Sequence, residues 1–187
     1  MIPVYIIIGV VVVLLFTFIM TFNGLVRRRN QVKNAWAQID VQLKRRFDLI
    51  PNLMETVKGY MKHERATLEA VTNARNLAQQ ATSAGVGERA KAEGELSSAL
   101  SRLLAVVENY PDLKANQNFL ALQEELTSTE NKISFSRQYY NDSVLSYNNQ
   151  TQMFPSNMIA SMTGFKASEF FEVTVATERE APKVSFN

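Results

Sequence analysis

The stretch from Ile2 to Val26 holds no charged side chain, and Arg27, Arg28 and Arg29 follow it directly. No other feature restricts the chain as tightly. About 25 residues at ~1.5 Å rise make a helix of roughly 37 Å, enough to cross a ~30 Å hydrocarbon core at a tilt. A cleaved signal peptide needs a basic residue ahead of a shorter apolar stretch, and a small-x-small exit, which Thr21 to Val26 does not supply. The chain has no cysteine, so a lipoprotein anchor is excluded. A retained membrane-spanning helix is predicted.

The flanks set the expected orientation. No basic side chain precedes the span, whereas Lys33, Lys44, Arg45 and Arg46 continue the positive flank after the arginines. The positive-inside bias predicts a short N-terminus outside and a C-terminal domain in the cytoplasm, on a single-pass anchor. Each basic residue near anionic lipid adds about 1 kcal/mol of attraction. Membrane lipid is thus the first expected partner. The formal net charge is only +2, which leaves no basic surface of the size that nucleic acid requires. The missing cysteines also remove disulfides, thiolate metal sites and thiol nucleophiles.

Beyond the anchor, glycine and proline are scarce and the apolar residues recur at helical spacing. One row reads Val32, Ile39, Leu53, Tyr60, Ala74 and Ala81; another reads Trp36, Leu43, Ile50, Val57, Val71 and Ala78. That 3.5-residue repeat is the seam of a coiled coil or left-handed bundle. It predicts one long helix over residues 30–81, kinked at Pro51, which lacks a backbone donor. The run Thr82 to Gly87 predicts a turn. A second helix is expected over 88–109, stopped by Pro111, and a third from Asn116 carrying Phe119, Leu122, Leu126, Ile133, Tyr140, Val144 and Tyr147. A short fourth helix over 156–163 closes at Gly164.

The expected fold is therefore all-α, an N-terminal transmembrane helix followed by an elongated antiparallel four-helix bundle with a long first helix. The expected divisions are an anchor with its basic flank at 1–29, a helical-bundle domain at 30–165, and a partly extended or disordered tail at 166–187. The second helix, at roughly 33 Å, is too short to cover the first. Either the third helix and the tail cover the membrane-proximal seam or another copy of the protein does; otherwise Trp36, Ile39, Leu43 and Phe47 form an exposed apolar stripe, the mark of an interaction surface. Self-association, or docking on another membrane or envelope protein, is expected from it.

Arg46 and Glu64 stand at seam positions where leucine or isoleucine is expected. Eighteen residues apart is five turns, so about 27 Å separates them and they cannot pair. If buried, each needs a partner on another helix, with Glu124, Glu125, Glu130 and Arg137 available. They either fix helix register or line a polar cleft. His63 is the sole histidine and lacks ligands one turn away on its face, so no metal site is predicted. No di-iron carboxylate-histidine pattern, phosphate loop or nucleophile elbow occurs. No catalytic residue, cofactor or metal is expected, and the chain reads as non-enzymatic.

Several segments together resemble one family. They are Ala35-Trp36 through Gln42, Arg45 to Leu53, His63-Glu64 and Ala74-Arg75, then Glu108-Asn109-Tyr110-Pro111-Asp112-Leu113-Lys114-Ala115-Asn116. Leu122 to Leu126, Thr129 to Ile133, Arg137, Tyr140-Asn141 and Phe154-Pro155 complete the set. The chain resembles the LemA family of bacterial membrane proteins over nearly its whole length. The resemblance implies a short N-terminus, one span and an antiparallel helical bundle, and no established reaction. The expected function is a membrane-anchored scaffold or adaptor of the cell envelope. The alternative is a sensor that binds a ligand in a cleft around Arg46 and Glu64.

Overall fold

Helix formers with a sustained seam leave little reason for the chain to adopt anything but helix, and a computed structural model describing residues 2–172 is all-helical in its regular structure. The elements are α1 (Ile2–Lys58), α2 (Arg65–Gln80), a 3-10 turn (Ala81–Ser83), α3 (Val86–Val107), α4 (Pro111–Lys114), α5 (Gln117–Gln152) and α6 (Ser156–Thr163). The expected disorder at the C-terminus falls on residues 173–187, outside the described residues.

By its contacts the described chain divides into two compact units. The first holds residues 2–42 and 132–170, and the second holds residues 43–131 with Phe171 and Glu172. In the first unit, residues 3–20 of α1 are exposed throughout. They lie in the one described helix long and apolar enough to cross a membrane. Burial starts below them, with Leu25, Val32, Ala35 and Ile39 packed inside, alongside Ile133, Tyr140, Val144 and Tyr147 of α5. Trp36 and Tyr140 meet with ring centroids 5.2 Å apart. Ile159 and Ala160 of α6 pack on Leu25, with Phe22 and Phe165 beside them.

In the second unit α1 supplies Ile50, Leu53 and Val57 to a core completed by Val71, Ala74 and Ala78 of α2, Leu96, Leu100, Leu103 and Val107 of α3, and Phe119 and Leu126 of α5. The small Ala74 and Ala78 let α2 approach its neighbours closely. Asn116 caps α5 as its side-chain oxygen accepts from the backbone N–H groups of Asn118 at 2.9 Å and Phe119 at 3.2 Å. Pro111, expected only as a stop, also opens α4 in its first turn, where a missing N–H costs nothing.

One expectation is corrected and one open alternative is settled. The first helix does not continue to residue 81. It passes through Pro51 but ends at Lys58, where Gly59, a poor helix former, follows. The N–H groups of Tyr60 and Met61 both reach back to the Val57 carbonyl, at 3.0 and 2.9 Å. The turn that results buries Met61 completely in the core. Secondly, the stripe on α1 is covered within the chain. Ile39 and Leu43 are buried, Trp36 is half-buried, and the Arg75 guanidinium lies 3.6 Å from the centroid of the Phe47 ring. The third expected helix supplies the cover that the shorter second one cannot, since α5 runs for 36 residues and brings Tyr140 onto Trp36.

Gly164 ends α6 at φ 76°, and a Cβ there would meet nothing within 4 Å. A Gly164→Ala substitution therefore strains only the backbone, by about 1 kcal/mol. Thermal unfolding followed by circular dichroism in detergent should show Tm lowered by about 2–4 °C.

Candidate functional site

A densely connected polar group of the second unit is Arg46. The seam of α1 turns this position inward, and the side chain is 1% exposed. Its Nη1 donates to Glu130 Oε2 of α5 at 2.7 Å and to Ser97 Oγ of α3 at 2.7 Å. Ser97 Oγ in turn donates to Glu130 Oε1 at 2.9 Å, which closes a ring of three groups. Nη2 donates to the Glu93 carboxylate and to the Glu93 backbone carbonyl, the latter at 3.3 Å. Glu93 is buried and Glu130 is partly exposed. Only Nε keeps no acceptor. A guanidinium with four of its five N–H groups engaged has little left for a ligand, and the cluster acts as a clamp on α1, α3 and α5.

Of the partners expected for Arg46, Glu130 is confirmed in place. Glu125 instead pairs with Arg45 at the surface, Glu124 is exposed, and Arg137 belongs to the first unit. Glu93 and Ser97 were not anticipated. The available signal was the polar row Arg89, Glu93, Ser97, which recurs every four residues down one face of α3 and is absent from the neighbouring leucine face. Glu64 occupies no seam, because the helix has ended before it. It is the residue ahead of α2 and accepts the Tyr110 hydroxyl at 3.1 Å. Burial first, then the bond to Glu64 and its charge, raise the Tyr110 pKa above 10.0. His63 is exposed, and among the described residues no three metal-ligating side chains converge.

The first unit carries a second polar device, also unanticipated. Tyr140, Tyr147 and Asn148 share one face of α5 and strap the extended residues 166–169 along it. The Tyr147 hydroxyl donates to the Lys166 carbonyl and the Tyr140 hydroxyl to the Glu169 carbonyl, each at 2.9 Å. The Asn148 amide donates to the Ser168 carbonyl at 2.9 Å and accepts its N–H at 2.8 Å. Burial raises the pKa of both tyrosines. The Glu169 charge adds to this for Tyr140, and Arg29 opposes it for Tyr147. The same unit has an open groove of about 520 Å³ lined by Asn23, Arg27, Asn30, Asn34 and Tyr139.

A model of the LemA family matches residues 35–186. Magnetosome protein MamQ 2 of Paramagnetospirillum magneticum is 25% identical over 186 residues, spanning 87% of this chain and 68% of its own length. Protein LemA of Metamycoplasma hominis is 28% identical over 170 residues, spanning 87% of this chain and 76% of its own. Magnetosome protein MamQ of Magnetospirillum gryphiswaldense is 24% identical over 179 residues, with shares of 83% and 66%.

Replacing Arg46 alone by Met strands two carboxylates in the second unit and should cost about 3–5 kcal/mol in urea unfolding. The triple variant Arg46→Met, Glu93→Leu, Glu130→Leu should recover most of that loss, since well-packed apolar substitutes for a buried ion cluster are often neutral. The strap predicts a response to alkali. A raised folded-state pKa means stability is fully present below the unfolded value of 10.0 and is lost as pH rises through the folded pKa. Stability should therefore decline from about pH 10 upward. Tyr140→Phe with Tyr147→Phe, though weaker at pH 8, should show a smaller decline between pH 9.5 and 11 than the parent in the same unfolding series.

Proposed function

Because the chain belongs to the LemA family, we propose that it serves as a membrane-anchored, non-enzymatic helical scaffold or adaptor in the bacterial cell envelope. The observation that carries the reading is α1 itself. Its first residues form a fully exposed apolar helix suited to a membrane, and the same helix then supplies the buried seam of a helical domain. The Arg46 cluster supports a structural rather than a ligand-binding role, because its donors are already engaged inside the protein.

In this reading the N-terminus lies outside, the helical domain is cytoplasmic, and the helices complete an elongated four-helix bundle. Phe135 and Leu145 of α5, 72% and 51% exposed, offer apolar contact points to a second copy or to another membrane protein. The MamQ relatives are named for the magnetosome. Service in a cellular assembly fits a tethered scaffold. A ligand-binding cleft on Arg46 and Glu64 has no comparable support, since the first is buried and ion-paired and the second is bonded to Tyr110.

Crosslinking in intact membranes followed by mass spectrometry tests the proposal. The expected result is a reproducible crosslink, to itself or to one envelope protein, that is weakened when Phe135 is replaced by Asp. Crosslinks that vary between replicates and ignore that substitution would end it.

A further inference from the structure

Counting from the exposed end of α1 fixes a level along the helix. The exposed residues 3–20, about 18 at ~1.5 Å each, make roughly 27 Å, close to the ~30 Å hydrocarbon core. The hydrocarbon boundary then falls near Thr21 and Phe22. It is there that α6 rests on α1, with Ile159 and Ala160 against Leu25 and with Phe165 edge-on to Phe22 at 5.8 Å. The Arg29 guanidinium lies 4.8 Å from the Phe165 ring centroid, so a cation of the basic flank marks the same level.

The opposite side of α6 is bare, with large apolar side chains beside the small polar Asn157 and Ser161. Phe154 just before it is 80% exposed, and Met158 and Met162 within it are 58% and 78% exposed. No charged residue occurs between Asp142 and Lys166. Large side chains left bare on a soluble surface mark a contact site. Here the neighbouring surface is the end of the span itself. Eight residues of helix extend only about 12 Å, so every exposed side chain of α6 lies within reach of the headgroup and acyl boundary. Methionine, flexible and polarisable, suits an irregular lipid surface.

We propose that α6 is a second membrane contact, an interfacial foot whose Phe154, Met158 and Met162 insert at the headgroup and acyl boundary beside the span. This rests on the anchoring role of α1, and the experiment separates the two. The chain has no native cysteine, so single Cys variants of the full chain can be labelled with an NBD fluorophore and reconstituted in phosphatidylcholine–phosphatidylglycerol vesicles. Met158→Cys and Met162→Cys report on α6, Val12→Cys on the span, and Leu77→Cys on an exposed site of the second unit.

The expected result is blue-shifted emission at 158 and 162, quenched about twofold or more by a lipid spin-labelled near the glycerol and little by aqueous iodide, with the reverse at 77. Quenching of 12 by a deep spin label, together with iodide-accessible 158 and 162, overturns the foot and leaves the anchor standing. An unquenched 12 overturns both. A blue shift at 158 or 162 that fades on dilution in lipid and resists the lipid quencher means that a second copy covers α6, which also overturns the proposal.

Discussion

Within the second unit, the position of α1 against α3 and α5 depends on one buried cation. Arg46 sits at a seam position of α1, and its two terminal nitrogens reach Glu93 and Ser97 on α3 and Glu130 on α5. Compared with a leucine in the same place, the net stabilisation from such a cluster is small, because desolvation of the charges offsets their attraction. Its effect is on geometry. A slide of one turn, about 5.4 Å, along any of the three helices would leave the leucine and isoleucine contacts nearly as good but would strand the guanidinium among apolar groups. Apolar seams tolerate such slips, whereas a bidentate cluster does not. The surrounding Ile50, Leu53, Leu96, Leu100 and Leu126 supply the burial, and Arg46 restricts that burial to one register.

What could be read from the residues alone follows from how local each signal is. The rows through Val32, Ile39, Leu43, Ile50, Leu53 and Val57 are buried as their spacing requires. The fourth helix ends on Gly164 in the left-handed region, which local backbone chemistry dictates. Asn116 starts α5 for an equally local reason. The turn after Lys58 was hidden because a lone glycine inside a periodic stretch is usually tolerated, and because the phase of the apolar rows happens to resume in α2. What decides it is the burial of Met61, a tertiary effect. Arg46 was recognisable as a residue in need of a partner, and Glu130 as one of several candidates. Choosing Glu93 and Ser97 required the crossing of α1 and α3, which no single helix encodes. The strap was illegible for the same reason, since tyrosines at seam spacing look alike whether or not their hydroxyls hold a backbone segment.

The transition along α1 shows how solvent, more than propensity, assigns structure. Ile6 to Ile8 and Val10 to Val13 are β-branched and would favour strand in water. In hydrocarbon a lone segment can satisfy its backbone only as a helix, so the low propensity is irrelevant there. Residues 3–20 are exposed on every side. From Leu25 onward one face is buried, and the seam appears. Between the two regimes stand the arginines, and two of them find protein contacts. Arg28 donates to Ser146 of α5, and Arg29 covers Phe165. A basic flank that served only to orient the span could lose any one arginine without structural effect. Arg28 and Arg29 also join α1 to α5 and to the segment after α6, so the end of the apolar stretch is coupled to the packing of the first unit.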